Sequence, residues 1–290
     1  MQQENMLGKI VLITGATAGI GKETARSLQR MGAHVVIVGR NPEKTERVVA
    51  ELSNQNPDGG KVEGMVADLS SLAEIRRLAE EFKSRYDRLD VLVNNAGAYF
   101  NQRLESVDGF EMTFALNHLS YFHLTYLLLD MIKASAPARI VNVSSGAHAM
   151  GKINFDNLQS KGFFLGWTAY GRSKLMNILF TRELCRRLQG TRVTANVLHP
   201  GFVATNFGHN GNGIGKWMIG LTQRWALTPE QGAQTSIYLA SSPEVAGVSG
   251  AYFVEKKITQ PSNAAQDDEA AKRLWDISLE LIGETEKTAR

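Results

Sequence analysis

A single cysteine, Cys185, stands in a chain of 290 residues. That rules out an intrachain disulfide and a cysteine-rich zinc site, and it fits a reducing compartment. The six histidines offer no H-x-x-x-H pair and no H-E-x-x-H pattern, so a catalytic metal finds no support. No sign of charge dominates either: the net charge is +3, and Lys and Arg are interspersed with Asp and Glu instead of massed. This balance argues against a nucleic-acid partner. Long apolar runs are missing too. The stretch from 121 to 131 is broken by His123 and Asp130 and falls short of the roughly 20 residues a membrane span needs. Residues 1–8 are polar and short, without the charged and then apolar pattern of a signal peptide, so a soluble, cytoplasmic protein with no membrane span is expected.

What is present is a core. With 43% hydrophobic residues and neither an internal repeat nor a low-complexity linker, residues 1–290 should form one domain. Short β-branched apolar runs at 9–14, 34–38, 62–67, 91–94, 139–144 and 192–198 read as buried strands. Helical patterns at 23–30, 43–52, 72–86, 111–132 and 170–188 lie between or after them. Alternation of this kind predicts right-handed βαβ crossovers. The expected architecture is an α/β, doubly wound domain with a parallel sheet of about seven strands and helices on both faces. Two segments interrupt the alternation, 146–166 and 202–228, and both leave the carboxyl end of a strand, where such sheets bind ligands. The second carries Trp217, Met218, Ile219, Leu221 and Trp225 among glycines, compatible with an apolar lid or with a small packed helix. A terminal helix at about 264–283 should pack on the domain or cover that segment.

Thr14-Gly15-Ala16-Thr17-Ala18-Gly19-Ile20-Gly21 follows the first strand and opens a helix. A glycine-rich turn there lets backbone N–H groups approach a pyrophosphate, with the helix N-terminus adding partial positive charge. The second strand ends Val38-Gly39-Arg40, with no acid for a ribose 2′-hydroxyl. Gly39 would leave room, and the Arg40 guanidinium would fork onto a 2′-phosphate, which points to NADP(H); the alternative is a surface arginine capping the helix near Pro42. Asp68, beside Leu69 after the third strand, would accept from an adenine amino group or cap the helix near Ser70.

Tyr170-Gly-Arg-Ser-Lys174 places a phenol and an ammonium one turn apart on one helix face, a pairing suited to proton transfer. Positive charge from Lys174 favours the phenolate of Tyr170.

Together with Asn94-Asn95-Ala96-Gly97, Ser145 and Pro200-Gly201, these motifs resemble the short-chain dehydrogenase/reductases over nearly the whole chain. Residues 139–145, 151–156, 180–184, 198–201 and 274–277 are similar to the retinol dehydrogenase and WW-domain oxidoreductase branch. The resemblance implies a Rossmann-fold enzyme in which Tyr170 is the general acid and base and Lys174 also bonds the nicotinamide ribose. Ser145 would hold the substrate oxygen, ahead of Ser144, and Asn117 would support a water relay. It further implies that Gly15, Thr17, Gly19, Ile20, Gly21, Asn94, Ala96, Gly97, Pro200, Gly201, Val203 and Thr205 surround the cofactor, although Asn117 also fits a structural helix asparagine and Thr205 a helix cap. Phe163, Phe164, Trp167, Trp217 and Trp225 favour an apolar alcohol or carbonyl substrate. His148 and His209, in the two variable loops, read as solvated loop histidines, with substrate contact as the alternative. A homodimer through the helices of Asn117 and Tyr170 is one expectation, internal filling of their apolar faces the other. Two further activities fit the pattern: C=C reduction of the protochlorophyllide type, and a non-catalytic NADPH-binding regulator.

Overall fold

The computed structural model describes residues 5–203 and 227–284. The apolar runs form β1 (Ile10–Thr14), β2 (His34–Gly39), β3 (Val62–Val66), β4 (Val91–Asn94), β5 (Ala138–Val143) and β6 (Val193–His199). They pair in parallel, and β7 (Tyr252–Val254) joins β6 in the same sense. An eighth strand, β8 (Lys257–Ile258), runs antiparallel to β7 and extends the expected sheet at one edge. The order β3-β2-β1-β4-β5-β6-β7-β8 reverses direction between β1 and β4. At such a switch point the crossover helices leave to opposite faces and open a crevice at the strands' carboxyl ends.

Side-chain alternation along the strands makes two cores. Leu12, Val36, Leu92, Ile140 and Val197 point to one face, Val11, Val35, Val93, Val141 and Leu198 to the other. The second face is covered by α1 (Gly19–Arg30), α2 (Pro42–Gln55) and α7 (Pro229–Ser241). α7 starts on a capping box in which Thr228 and Gln231 satisfy each other's backbone N–H. The first face is covered by α3 (Leu72–Arg85), α5 (Ser120–Ala134), α6 (Gly166–Arg187) and α8 (Asp268–Leu281).

The single helix expected over 111–132 is instead three pieces. Glu111 caps α4 (Met112–Phe114), accepting from the N–H groups of Thr113 and Phe114, and a π-turn (Ala115–Leu119) then leads into α5. The extra residue of a π-turn rotates the helix beyond it, and such turns are common at functional sites. The terminal helix packs on the domain. Trp275 lies 4.9 Å from the ring of Phe122 and 5.9 Å from that of Phe180, so the apolar faces of α5 and α6 are filled from within the chain. Among the described residues no helix is long and apolar enough to cross a membrane.

Candidate active site

The carboxyl ends of β1, β4, β5 and β6 meet at the crevice, and each contributes to one site. At the end of β1, Gly15 has φ +65°, and a Cβ there would lie 2.7 Å from Ala96 Cα. At Gly21 it would lie 2.5 Å from the Asn95 carboxamide. Glycine is therefore required by close approach as well as by backbone conformation. The Thr14 hydroxyl accepts the N–H groups of Asn95 (2.9 Å) and Ala96 (3.0 Å), and Asn95 Nδ2 donates back to the carbonyls of Thr14 (2.9 Å) and Gly15 (3.2 Å). These bonds clamp the two loops together. The sequence assigns no such role to Thr14 or Asn95, though each lies inside a motif that it marks.

α1 begins without a cap: Ala18 makes no side-chain bond, and its first turn holds no acid. Its first N–H groups, near Gly19 and Ile20, keep the capacity to bind an anion. Thr17 packs toward Gly39, where a Cβ would meet Thr17 Cγ2 at 2.4 Å and Thr45 Oγ1 at 2.3 Å. Gly39 thus permits tight packing and does not leave open room. Arg40 is exposed, with no ion pair among the described residues, and the cap of α2 is supplied by Asn41, which accepts from Lys44 N at 2.8 Å. The capping role considered for Arg40 is therefore filled by its neighbour.

Asp68 does not cap α3. Its carboxylate accepts from the backbone N–H (2.9 Å) and hydroxyl (2.7 Å) of Ser70, and Ser71 is the cap. Leu69 beside it is buried. Asn94 is wholly buried; its Nδ2 donates to Thr125 Oγ1 (2.9 Å) and Asn142 Oδ1 (2.8 Å), so its side chain braces β4 against β5. Ala96 is buried and Gly97 exposed as that loop leaves β4. Gly201, φ +86°, turns the chain after Pro200, and a Cβ there would meet Leu227 at 2.5 Å. Val203 pairs with Leu227 and packs against Gly232, where Ile20 also arrives. Thr205, His209, Trp217 and Trp225, with most of segment 202–228, lie outside the described residues.

At the reacting end, Tyr170 and Lys174 sit on α6, both buried. Burial pushes the Tyr170 phenol up to about 12, partly opposed by a hydrogen bond with the Ser145 side chain. Burial likewise pushes the Lys174 ammonium down to about 7. Its Nζ donates to the Val143 carbonyl at 3.1 Å and lies 5.7 Å from the Tyr170 ring centre. Ser144 and Ser145 divide the work: Ser144 Oγ donates to the Lys174 carbonyl (2.7 Å), fixing the helix to β5, while Ser145 faces the phenol. Asn117, carried by the π-turn, accepts from Ala98 N (2.9 Å) and donates to Ala98 O (2.9 Å) and Ser173 Oγ (3.1 Å). It ties the loop of Gly97 to α6.

Tyr99 joins the site without any motif to mark it in the sequence. Its ring lies 4.7 Å from that of Trp167 and 6.3 Å from that of Tyr170, making an aromatic wall beside the phenol. Met150, Phe163, Leu165, Trp167 and Phe202 are exposed, Phe163 at 86%. Phe164 is half-buried. His148 departs from its expected solvated state: it is 5% exposed, with both ring nitrogens in hydrogen bonds. Among the described residues no group of histidine, cysteine and acidic side chains could hold a metal.

Residues 9–212 match the sequence profile described as short chain dehydrogenase. Retinol dehydrogenase 14 of Mus musculus is 46% identical over 96% of this chain and 87% of its own length. The Homo sapiens protein of the same name is 47% identical at the same coverage, and Retinol dehydrogenase 13 of Homo sapiens is 44% identical over 95% of this chain and 85% of its own. An uncharacterized protein from Mycobacterium Paratuberculosis superposes with a TM-score of 0.79 at 32% identity, covering 97% of this chain and 96% of that one. The Pseudomonas aeruginosa RhlG/NADP active-site complex gives 0.70 at 30% identity, covering 91% and 100%.

Proposed function

The chain belongs to the short-chain dehydrogenase family, and from that membership we propose that it is an NADP(H)-dependent oxidoreductase that interconverts an alcohol and a carbonyl on an apolar substrate. The observation that carries this reading is the side-chain bond between Ser145 and Tyr170, with Lys174 buried one turn away. A protein that only bound the nucleotide would have no use for it.

The cradle fits a dinucleotide. Gly15, Gly21 and Gly97 sit where a Cβ would crowd its neighbours, and the uncapped α1 N-terminus offers N–H groups to a pyrophosphate. In this reading Thr17, Gly19, Ile20, Ala96 and Val203 are assigned to the same cofactor cradle, and Asp68 with Leu69 to the adenine. Arg40, exposed at the end of β2, supports a 2′-phosphate and hence NADP; the RhlG/NADP complex is a structural relative in the same sense. When bound, the nicotinamide supplies or accepts the electron pair of the reaction.

The chain's own residues handle the proton. With its phenol neutral at physiological pH, Tyr170 donates to the carbonyl oxygen as negative charge develops there. The Ser145 hydroxyl holds the same oxygen, and the Lys174 ammonium stabilises the phenolate left behind. The Asn117 side chain is committed to Ala98 and Ser173, so it positions this cluster. The exposed Trp167 on the aromatic wall, and the names of the retinol dehydrogenases, support a retinoid-, steroid- or lipid-like substrate. Filling of the α5 and α6 faces by Trp275 favours a monomer over pairing through those helices.

NADPH oxidation against apolar aldehydes, ketones and enones tests the reading: aldehydes or ketones should be reduced in preference to enone C=C bonds. Tyr170→Phe should bind NADPH and fail to turn over, and Arg40→Asp should weaken NADPH relative to NADH. Full turnover by Tyr170→Phe would overturn the mechanism, and an unchanged NADPH preference in Arg40→Asp the cofactor assignment.

A further inference from the structure

The Ser145 hydroxyl can meet Tyr170 only if the turn that carries it is held still, and two imidazoles hold that turn. The Ser145 carbonyl accepts twice from His148, from ring Nδ1 at 2.8 Å and from the backbone N–H at 3.1 Å. On the far side of the same ring, Nε2 accepts the backbone N–H of Ser262 at 3.2 Å. A carbonyl only accepts and an amide N–H only donates, so these partners place the single proton of neutral His148 on Nδ1. One residue further along, Gly146 N–H donates to Nδ1 of His199 at 3.0 Å. The His199 ring lies so close that a Cβ on Gly146 would meet Nε2 at 3.1 Å.

We infer that His148 and His199 are positioning residues for Ser145, a two-histidine brace that seats the Ser145–Gly146 peptide against Tyr170 and ties it to the chain segment at Ser262. The inference rests on the assignment of Tyr170 as the proton donor. Both imidazoles must stay neutral for the brace to hold, because a proton on His148 Nε2 or His199 Nδ1 would set one N–H against another. The surroundings favour the neutral forms. Burial lowers His148, opposed by its bond to the Ser145 carbonyl; burial and the neighbouring His148 lower His199, opposed by Glu255. The ring of Tyr252, 5.1 Å from His148, completes the enclosure, and its own phenol is pushed up to about 12 by burial. The neutral brace is therefore held to lower pH than free imidazoles would hold it, and gives way in acid.

His148→Phe keeps a ring against Tyr252 and removes both side-chain bonds. Turnover number per NADPH-binding site should fall about tenfold or more, with NADPH affinity within about twofold of the parent, since the effect is one of orientation. His148→Asn, whose Nδ2 can take the place of Nδ1, should recover part of the loss. Ser262→Pro removes only the N–H: residue 262 has φ −57°, which proline adopts, and its hydroxyl has no partner. In that variant Nε2 loses the donor that keeps it unprotonated, so the acid limb of the kcat profile should move to higher pH, a shift that a merely structural role would not produce. The brace is overturned if His148→Phe keeps parental kcat while Tyr170→Phe is inactive, or if Ser262→Pro leaves the acid limb in place. Should Tyr170→Phe itself turn over, the proton-donor assignment fails instead. Ser262→Pro carries the test alone if His148→Phe does not fold.

Discussion

Gly97 lies over Lys174 with so little space that a Cβ at residue 97 would stand 3.3 Å from Nζ and 3.2 Å from Asn117 Oδ1. The loop after β4 thereby roofs the ammonium that faces Tyr170. Gly97→Ala should push Lys174 or Asn117 aside at a cost of about 1–3 kcal/mol in stability. Loss of activity should exceed loss of stability, with kcat/KM reduced about tenfold or more, because the displaced groups are the ones that hold the phenol. Steady-state kinetics beside a urea melt would check this; equal, small changes in both would count against the roof.

The two directions of the reaction should respond oppositely to pH. Carbonyl reduction needs the neutral phenol of Tyr170, and burial holds that form well above neutrality, at about 12. The reduction rate should be highest below neutrality and fall above about 7, as Lys174 loses the charge that stabilises the phenolate left behind. Alcohol oxidation needs the phenolate and should rise with pH over the same span, by up to about tenfold per pH unit. Lys174→Met removes the cation that favours the phenolate and should depress oxidation more than reduction. Profiles of kcat/KM in both directions decide the matter, and an oxidation rate that is flat with pH would remove Tyr170 as the base.

Trp275 closes the chain onto α5 and α6, with the Arg187 guanidinium 4.4 Å over its ring. Trp275→Ala should cost about 3–5 kcal/mol, and Trp275→Phe less, since most of the ring volume is kept. Size-exclusion chromatography should show the alanine variant self-associating through the uncovered Phe122 and Phe180, while the parent elutes as a monomer.

Acid should unfold the protein through two histidines buried in the core. Burial pushes His118 down to about 3, opposed by a bond with Asn177, and His123 down to about 4, with the Arg76 charge adding to burial. Both bind a proton more readily when unfolded, so their contribution is complete above the ordinary value of 6.5 and is lost as pH falls toward the folded values. By pH 4 the loss is at most about 3 kcal/mol for each. Thermal melts across this range should show a falling Tm that His123→Leu makes shallower. A Tm insensitive to pH in that variant and the parent alike would contradict the assignment.

Much of the site is legible in the sequence because the informative residues lie at strand ends, where a short motif and its structural context coincide. The turn from Thr14 to Gly21, the Ser145 position and the Tyr170–Lys174 spacing each combine a special backbone or a reactive side chain with a recognisable neighbour. β7 and β8 are not legible: three and two residues are too few for a period to register. The break of the helix at Asn117 leaves no trace either, because a π-turn inserts one residue without a compositional signature. Gly39 is a position without a side chain, as expected, but for a different reason, since Thr17 and Thr45 fill the space it leaves. The burial of His148 escapes the sequence because its partners are backbone groups of Ser145 and Ser262, and a pairing 114 residues apart cannot be seen from a loop's composition.

Val203 and Leu227 form a bridge, and Leu227 N donates to the Phe202 carbonyl at 2.7 Å. The chain on either side of residues 204–226 is thus pinned at one point, between β6 and the capped start of α7. A segment whose two ends are already joined adds little closure entropy when its length changes, only about 0.6 kcal/mol for each doubling. A change in the length of chain between Val203 and Leu227 should therefore cost little on closure grounds alone, so the sheet and the helices on either side of this bridge can tolerate it.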